Sequence, residues 1–179
     1  MLGSNYIRPG NFDRLLIRPI SPLFHLIADR VQQDGFGQLL IGCIILSIAM
    51  PHIGIHWGFV TILLLIIMVL SSGFIFVAIN LFFSTFSFWM VDSLPIVFAV
   101  FNISDFARYP LTIYNKGIRF VLSWVIPYAF TAFYPASLFI QHSGYQTIAA
   151  WSPLVSIAAC IIAYLFWRKG LHAFTSTGN

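Results

Sequence analysis

The stretch GFVTILLLIIMVLSSGFIFVAINLFFSTFSFWM, Gly58–Met90, contains no Asp, Glu, Lys or Arg. A helix that crosses a bilayer needs about 20 predominantly apolar residues. A charged side chain at the bilayer centre costs about 2.5–3.5 kcal/mol on insertion scales, so a long uncharged run indicates the hydrocarbon region. We therefore predict a membrane-spanning helix here. Because the run exceeds one crossing, we expect tilt, a break near Ser71–Gly73, or a helix that projects into the cytoplasm.

The uncharged region continues on the N-terminal side, so that it covers residues 35–91, and a second one covers residues 120–167. Each region is too long for one crossing and fits two crossings joined by a turn. Proline and glycine place the turns at Pro51–Gly58 and at Pro135–Tyr145. The pattern predicts two transmembrane hairpins. Within the second hairpin we expect spans at Phe120–Tyr134, kinked by Pro127, and at Thr147–Trp167.

The composition favours the same fold class. The chain has 179 residues, of which 59% are hydrophobic and 8% are charged, whereas soluble domains carry about 25% charged residues. A water-soluble domain of this size hides only about two thirds of its surface, too little to bury so many apolar side chains. We predict an all-α, polytopic transmembrane helical bundle with about four spans and an N-terminal amphipathic cytoplasmic segment.

The basic residues indicate the orientation in the membrane. All of them lie outside the two hairpins, and the predicted turns contain none. Under the positive-inside rule, we expect both chain ends to be cytoplasmic. The expected location is the plasma or inner membrane. Anionic lipid accounts for the net charge of +4, so no nucleic-acid partner is expected. The basic residues of the chain are Arg8, Arg14, Arg18, Arg30, Arg108, Lys116, Arg119, Arg168 and Lys169.

We divide the chain into five segments on this basis. Residues 1–34 form a cytoplasmic amphipathic coupling segment, 35–91 the first hairpin, 92–119 a cytoplasmic or interfacial connector, 120–167 the second hairpin, and 168–179 a cytoplasmic tail. In the first segment apolar residues recur at helical spacing, and Pro19 and Pro22 interrupt the helix. Such a segment lies on the membrane or docks to a partner.

Motifs for catalysis and for cofactor binding are absent from the sequence. There is no Gly-Lys dipeptide and hence no phosphate-binding loop, no G-x-S-x-G elbow and no H-E-x-x-H pair. His52, His56 and His142 share the predicted outer side, but their spacing matches no known ligand pattern, so no metal site is expected. We predict no catalytic, cofactor or metal residues, and no enzymatic activity of the chain itself.

Small residues and tryptophans mark the predicted spans. Ser152, Ser156 and Cys160 recur every four residues, as do Ala159 and Ala163. Small residues at this spacing allow close helix packing, either within the chain, which we favour, or between chains. Tryptophans near span ends are typical of interfacial belts. These are Trp57, Trp89, Trp124, Trp151 and Trp167.

Several motifs give the chain a family resemblance. They follow one another in the order found in type 2 ATP-binding-cassette (ABC) exporter permeases, and they most resemble the branch of daunorubicin-type and viologen-type exporters. The motifs are IRPGNFDRLLIRPISPLF (Ile7–Phe24), FWMVDS (Phe88–Ser93), YPLTIY (Tyr109–Tyr114), VIPYAFTAFYPAS (Val125–Ser137) and FTSTG (Phe174–Gly178).

The resemblance implies a membrane transport subunit that pairs with a second copy or a related permease chain. Two separate ABC ATPase subunits would bind ATP, so no cofactor is expected on the permease. The resemblance begins just before the segment that follows the second of the family's six spans, which implies a chain lacking the first two. That segment is implied to rest in a groove of the ATPase. The matching residues are Asp13, Arg14, Leu15, Leu16, Arg18 and Pro19.

Our hypothesis from the sequence is a permease subunit that couples a separate ATPase to substrate efflux. One alternative is a non-transporting membrane scaffold or assembly protein, and another is an inactive truncated permease. A membrane enzyme is disfavoured, because no acid, base and nucleophile converge in the sequence. A neighbouring gene for an ABC ATPase would favour the permease over the scaffold.

Overall fold

The computed structural model describes residues 17, 20–28, 34–55, 57–90, 94–140 and 144–174, and within these ranges it contains helices and no strand. The predicted all-α membrane helical bundle is confirmed. The α-helices in chain order are α1 (Pro22–Ala28), α2 (Asp34–Ala49), α3 (Phe59–Thr85), α4 (Leu94–Asp105), α5 (Lys116–Phe120), α6 (Phe133–Leu138), α7 (Gln146–Ala150) and α8 (Ser152–Ala173).

In the described part of the chain, three helical stretches are long and apolar enough to cross a membrane: Gly35–His52, Phe59–Phe88 and Ser152–Ala173. Helix α3 is continuous, so the break considered near Ser71–Gly73 does not form. The Ser71 and Ser72 hydroxyls donate to the carbonyls of Ile67 and Met68, at 2.7 and 2.8 Å. These bonds satisfy the hydroxyls without opening the helix. With 27 residues, α3 is about 40 Å long, more than the bilayer core.

Helices α3 and α8 pack side by side and run in the same direction. The Cys160 Sγ lies 3.8 Å from the Phe74 carbonyl oxygen. Further along, the rings of Phe166 and Phe82 stack with centroids 4.5 Å apart. Near both C-terminal ends, Gly170 lies against Thr85 and Phe88. Contacts advance along both helices together, so the two helices are parallel.

Because α3 and α8 are parallel, the chain between them must return along the bundle once. Residues 116–140, hereafter the interrupted passage, make this return. Ser123 and Ile126 share a cavity wall with Ile79 and Phe83 of α3. At the other end, the Phe139 ring stacks on Trp57, just before α3 begins, at 6.3 Å.

The predicted third span at Phe120–Tyr134 is therefore a passage along the bundle, but it is not one helix. It consists of α5, a π-helix at Val121–Val125, a 3-10 turn at Tyr128–Phe130, and α6. At Pro127, where the sequence predicts a kink, the helix is interrupted, because proline has no N–H to continue the ladder. The sequence analysis ended this span at Tyr134 and began a turn at Pro135. Instead Pro135 lies buried in the first turn of α6, where proline is tolerated.

The first predicted turn contains a short 3-10 helix at Met50–His52 and then Gly54. Gly54 has φ of 68°, and Gly144, between α6 and α7, has φ of 69°. Glycine is the residue that adopts this left-handed conformation without steric cost. Both glycines lie within the segments where the sequence predicts turns.

Helix α2 differs from the other long helices. No residue of Gly35–His52 is buried within the described part of the chain. An apolar helix with no buried residue is stable only where lipid or another apolar surface covers it.

Candidate functional site

Trp167 is the centre of a packed cluster at the end of the bundle where α3 and α8 finish. The side chain is 3% exposed, and its ring meets that of Phe88 at 5.2 Å in an edge-to-face arrangement. We call this cluster the Trp167 junction, and it comprises Leu23, Leu26, Leu81, Phe88, Trp167, Leu171 and Phe174. It joins α1 to both long helices.

Gly170 allows α3 and α8 to meet closely at the junction. A Cβ at this position would lie 2.6 Å from Phe88 Cδ2 and 2.7 Å from Thr85 Cγ2. Both distances are below van der Waals contact, so a side chain there would push the helices apart. Thr85 is itself fully buried and donates its hydroxyl to the Leu81 carbonyl at 2.7 Å.

Helix α1 contributes Leu23 and Leu26, which lie three residues apart on one helical face. Its other side chains include Phe24, which is exposed. Helix α1 follows closely after the residues that the sequence assigned to ATPase contact. A displacement of α1 would therefore act directly on the ends of α3 and α8, because interdigitated side chains transmit strain.

The interrupted passage is the second unusual feature of the bundle. In its π-helix the Ile126 N–H bonds to the Val121 carbonyl at 2.9 Å, five residues back. Non-helical backbone at membrane depth is tolerated only where protein buries it or a cavity adjoins it. Here Tyr128, Ala129 and Phe130 are all almost completely buried. The broken backbone is thus enclosed by the bundle.

Two buried tyrosines in the passage have different polar environments. The Tyr134 hydroxyl lies 2.9 Å from the Ser123 hydroxyl, and this hydrogen bond connects the two sides of the break. The Tyr128 hydroxyl is buried and has no hydrogen-bond partner in the part of the chain that the structure describes. A buried donor without an acceptor costs about 1–3 kcal/mol. The Tyr134–Ser123 hydrogen bond therefore stabilises the passage across the break, whereas the unpaired Tyr128 hydroxyl destabilises it.

An apolar groove of about 290 Å³ adjoins the break, between α3, the interrupted passage and α8. Ile79, Phe83, Ser123, Pro127 and Ala158 are among its lining residues. Interrupted helices that border a cavity are places where membrane transporters bind substrates or ions.

The comparison with protein families agrees with these features. A family model described as ABC-2 family transporter protein matches residues 2–178. The chain belongs to the ABC-2 transporter family. As a member of this family it is a permease component of an ABC transporter, a membrane transport subunit distinct from the ATPase, with an ABC ATPase as its partner. Searches of curated proteins and of solved structures returned no match.

The predicted ATPase-contact residues of this permease, Asp13, Arg14, Leu15, Leu16, Arg18 and Pro19, lie outside the described residues. The small residues of the last span are among the described residues. Ser152, Ser156 and Ala163 are buried in the bundle, which agrees with packing within the chain.

The sequence analysis missed the role of Trp167, which it assigned to an interfacial belt. The structure buries this side chain in the junction instead. A signal was present in the sequence: Ala163, Trp167 and Gly170 follow the four- and three-residue steps of one helical face. Two small residues on the same face as a tryptophan indicate close packing against a neighbouring helix.

Proposed function

We propose that this chain is the permease subunit of an ATP-driven exporter in the cell membrane, with both chain ends in the cytoplasm. In this proposal the ATPase subunit binds ATP, and its closure displaces the segment containing Arg14 and Arg18. The motion passes through α1 to the membrane helices, which alternate between inward-facing and outward-facing arrangements. A second copy or a related permease chain completes the pathway.

The observation that carries this proposal is the Trp167 junction. It packs Leu23 and Leu26, next to the assigned ATPase contact, against the ends of two membrane-crossing helices. Buried apolar contacts are rigid at native packing density. The junction is therefore suited to transmitting a movement of α1 to α3 and α8.

The distribution of charge supports the proposed orientation. Arg168 and Lys169 follow Trp167 directly in α8, at the same end of the bundle as the junction. Lys116 and Arg119 stand at the start of the interrupted passage, which begins at that end. Cationic residues concentrate on the cytoplasmic side of membrane proteins. In this orientation the Trp167 junction faces the cytoplasmic side of the membrane, where the ATPase lies.

The proposal is tested by purifying the full chain from its native membrane and identifying the proteins that co-purify. We expect an ABC ATPase, and we expect Arg14→Ala/Arg18→Ala to reduce its recovery at least tenfold, since charge-assisted contacts would be lost. The control Arg168→Ala/Lys169→Ala removes the same charge from the last helix. Recovery of the ATPase with Arg14→Ala/Arg18→Ala at the wild-type level would contradict the coupling contact, and consistent absence of any ATPase would favour the scaffold.

A further inference from the structure

We propose that the groove beside the break, together with Arg119, forms a binding site for one anionic phospholipid. An acyl chain lies in the groove, and the phosphate of the headgroup binds the Arg119 guanidinium. The lipid is a resident component of the permease and belongs to the leaflet at the end of the bundle where α3 and α8 finish. This site is separate from the Trp167 junction and from ATPase coupling.

The groove has the chemistry and the position of an acyl-chain site. Its walls are almost entirely hydrocarbon, with Phe82, Phe83 and Ile162 among them. Along α8 it extends from Val155 to Ile162, about 10 Å at the helical rise per residue. Trp124, which lines the groove, is 67% exposed. The groove therefore opens on the lipid-facing surface, where acyl chains are the surrounding solvent.

Arg119 provides the polar end of the site. It lies four residues before Ser123, one turn away on the same helical face, and Ser123 forms part of the groove wall. Arginine stems extend along apolar surface while the guanidinium stays at headgroup depth. A lipid whose chain occupies the groove would thus bring its phosphate to this guanidinium.

The guanidinium has unused hydrogen-bonding capacity. Among the described residues its Nε is buried without a hydrogen-bond partner, and one Nη donates a long bond of 3.5 Å to the Tyr114 carbonyl. The carboxylate of Asp105 is paired with Arg108 at 3.1 Å. A buried charged donor without an acceptor is costly, and arginine binds phosphate oxygens with paired N–H groups.

Lys116 adds a second positive charge three residues before Arg119, so the two side chains lie on neighbouring positions of the helix surface. Lys116 is exposed at this end of the passage. Basic side chains beside a groove between membrane helices are a known arrangement for binding anionic headgroups. Charge complementarity therefore selects an anionic lipid over a zwitterionic one.

Native mass spectrometry of the full chain tests the site with defined lipids. The chain is equilibrated in detergent with phosphatidylglycerol or phosphatidylcholine of identical acyl chains, and retained lipid is counted. We expect one phosphatidylglycerol per chain, retained at least tenfold better than phosphatidylcholine. Arg119→Gln should lose this preference, and Arg168→Gln, the matched charge control, should keep it.

A second pair of variants tests the groove without altering charge. Ala158→Leu places a larger side chain in the groove and should reduce retention of both lipids, whereas Ala173→Leu, an exposed alanine outside the groove, should not. If Arg119→Gln does not fold, lipid retention by Arg119→Lys and by Ala158→Leu provides the test instead. Equal retention of the two lipids, equal behaviour of Arg119→Gln and Arg168→Gln, or a lipid-free dimer covering the groove would overturn the proposal.

Discussion

At the scale of single residues, the bundle depends on a few positions where side-chain size or polarity is tightly constrained. Gly170 is the clearest of them, because the space that a Cβ would need is occupied by Phe88 and Thr85. Gly73 in α3 is its natural control, because no atom from another described element lies within 4 Å of the position that a Cβ would take. Both glycines lie within helices, so the backbone effect of substitution is the same at the two sites.

We predict that Gly170→Ala lowers the free energy of unfolding by about 1–3 kcal/mol, since overpacking displaces α8 from α3. Gly73→Ala should be neutral or stabilising by up to about 1 kcal/mol, because alanine is the better helix former. Denaturant titration in mixed micelles measures both changes. A Gly170→Ala variant as stable as Gly73→Ala would show that the close approach does not exist.

The two buried tyrosines of the interrupted passage form a second matched pair. Tyr134→Phe removes the hydrogen bond to Ser123 and should cost about 0.5–1.5 kcal/mol. Tyr128→Phe removes a hydroxyl without a partner and should be neutral or stabilising. The same unfolding titrations provide the comparison. Tyr128→Phe being the more destabilising of the two would refute this assignment of the hydrogen bonds.

At the scale of elements, the long helices differ in how much of their surface the chain itself covers. Helix α3 contacts α8, α4 and the interrupted passage, whereas no residue of Gly35–His52 is buried within the described part of the chain. The two cysteines report on this difference. Cys43 on α2 is exposed, and Cys160 on α8 is partly buried against α3.

We expect a nitroxide label on Cys43, in a Cys160→Ser background, to collide freely with oxygen dissolved in the bilayer. The label on Cys160, in a Cys43→Ser background, should collide several-fold less often because α3 shields it. Power-saturation electron paramagnetic resonance of the chain in nanodiscs measures both. Equal oxygen accessibility would mean that another surface covers α2 or that α8 does not pack as described.

The elements also show how far the sequence alone predicts this fold. The uncharged run from residue 59 onward predicts α3, and the run before Arg168 predicts α8, because exclusion of charge from lipid is a local property of sequence. The π-helix and the 3-10 turn around Pro127 are not local properties. They persist because tertiary packing encloses Tyr128, Ala129 and Phe130, and a propensity pattern does not contain that information.

The candidate site was predictable to a lesser degree than the fold. Helix α1, which forms one side of the Trp167 junction, was expected as a short amphipathic element. A single sequence does not show that Leu23 and Leu26 contact Trp167. Such a contact joins residues far apart in the chain, which periodicity does not detect. Family motifs supplied the expected ATPase contact at Asp13–Pro19, and that assignment stays a prediction.

At the scale of the whole molecule, the parallel packing of α3 and α8 explains why a broken segment must cross the bundle between them. The junction ties the same ends of these two helices to α1. A movement that enters through α1 can therefore reach the interrupted passage through α3, against which the passage packs. The π-helix and the 3-10 turn interrupt the α-helical hydrogen-bond ladder of the passage, so we expect its amides to report such a movement.

The central claim is that the junction transmits the action of the ATPase, and Leu23→Ala/Leu26→Ala breaks it from the side of α1. The matched control is Ile20→Ala/Phe24→Ala, which removes exposed side chains just before α1 and within it. The measurement is hydrogen exchange of the amides of residues 121–126 and 128–130 in the complex with its ATPase, with and without ATP and vanadate. We predict that the nucleotide-dependent change disappears in Leu23→Ala/Leu26→Ala and persists in the control, while both variants still bind the ATPase. An undiminished change in Leu23→Ala/Leu26→Ala would contradict the account.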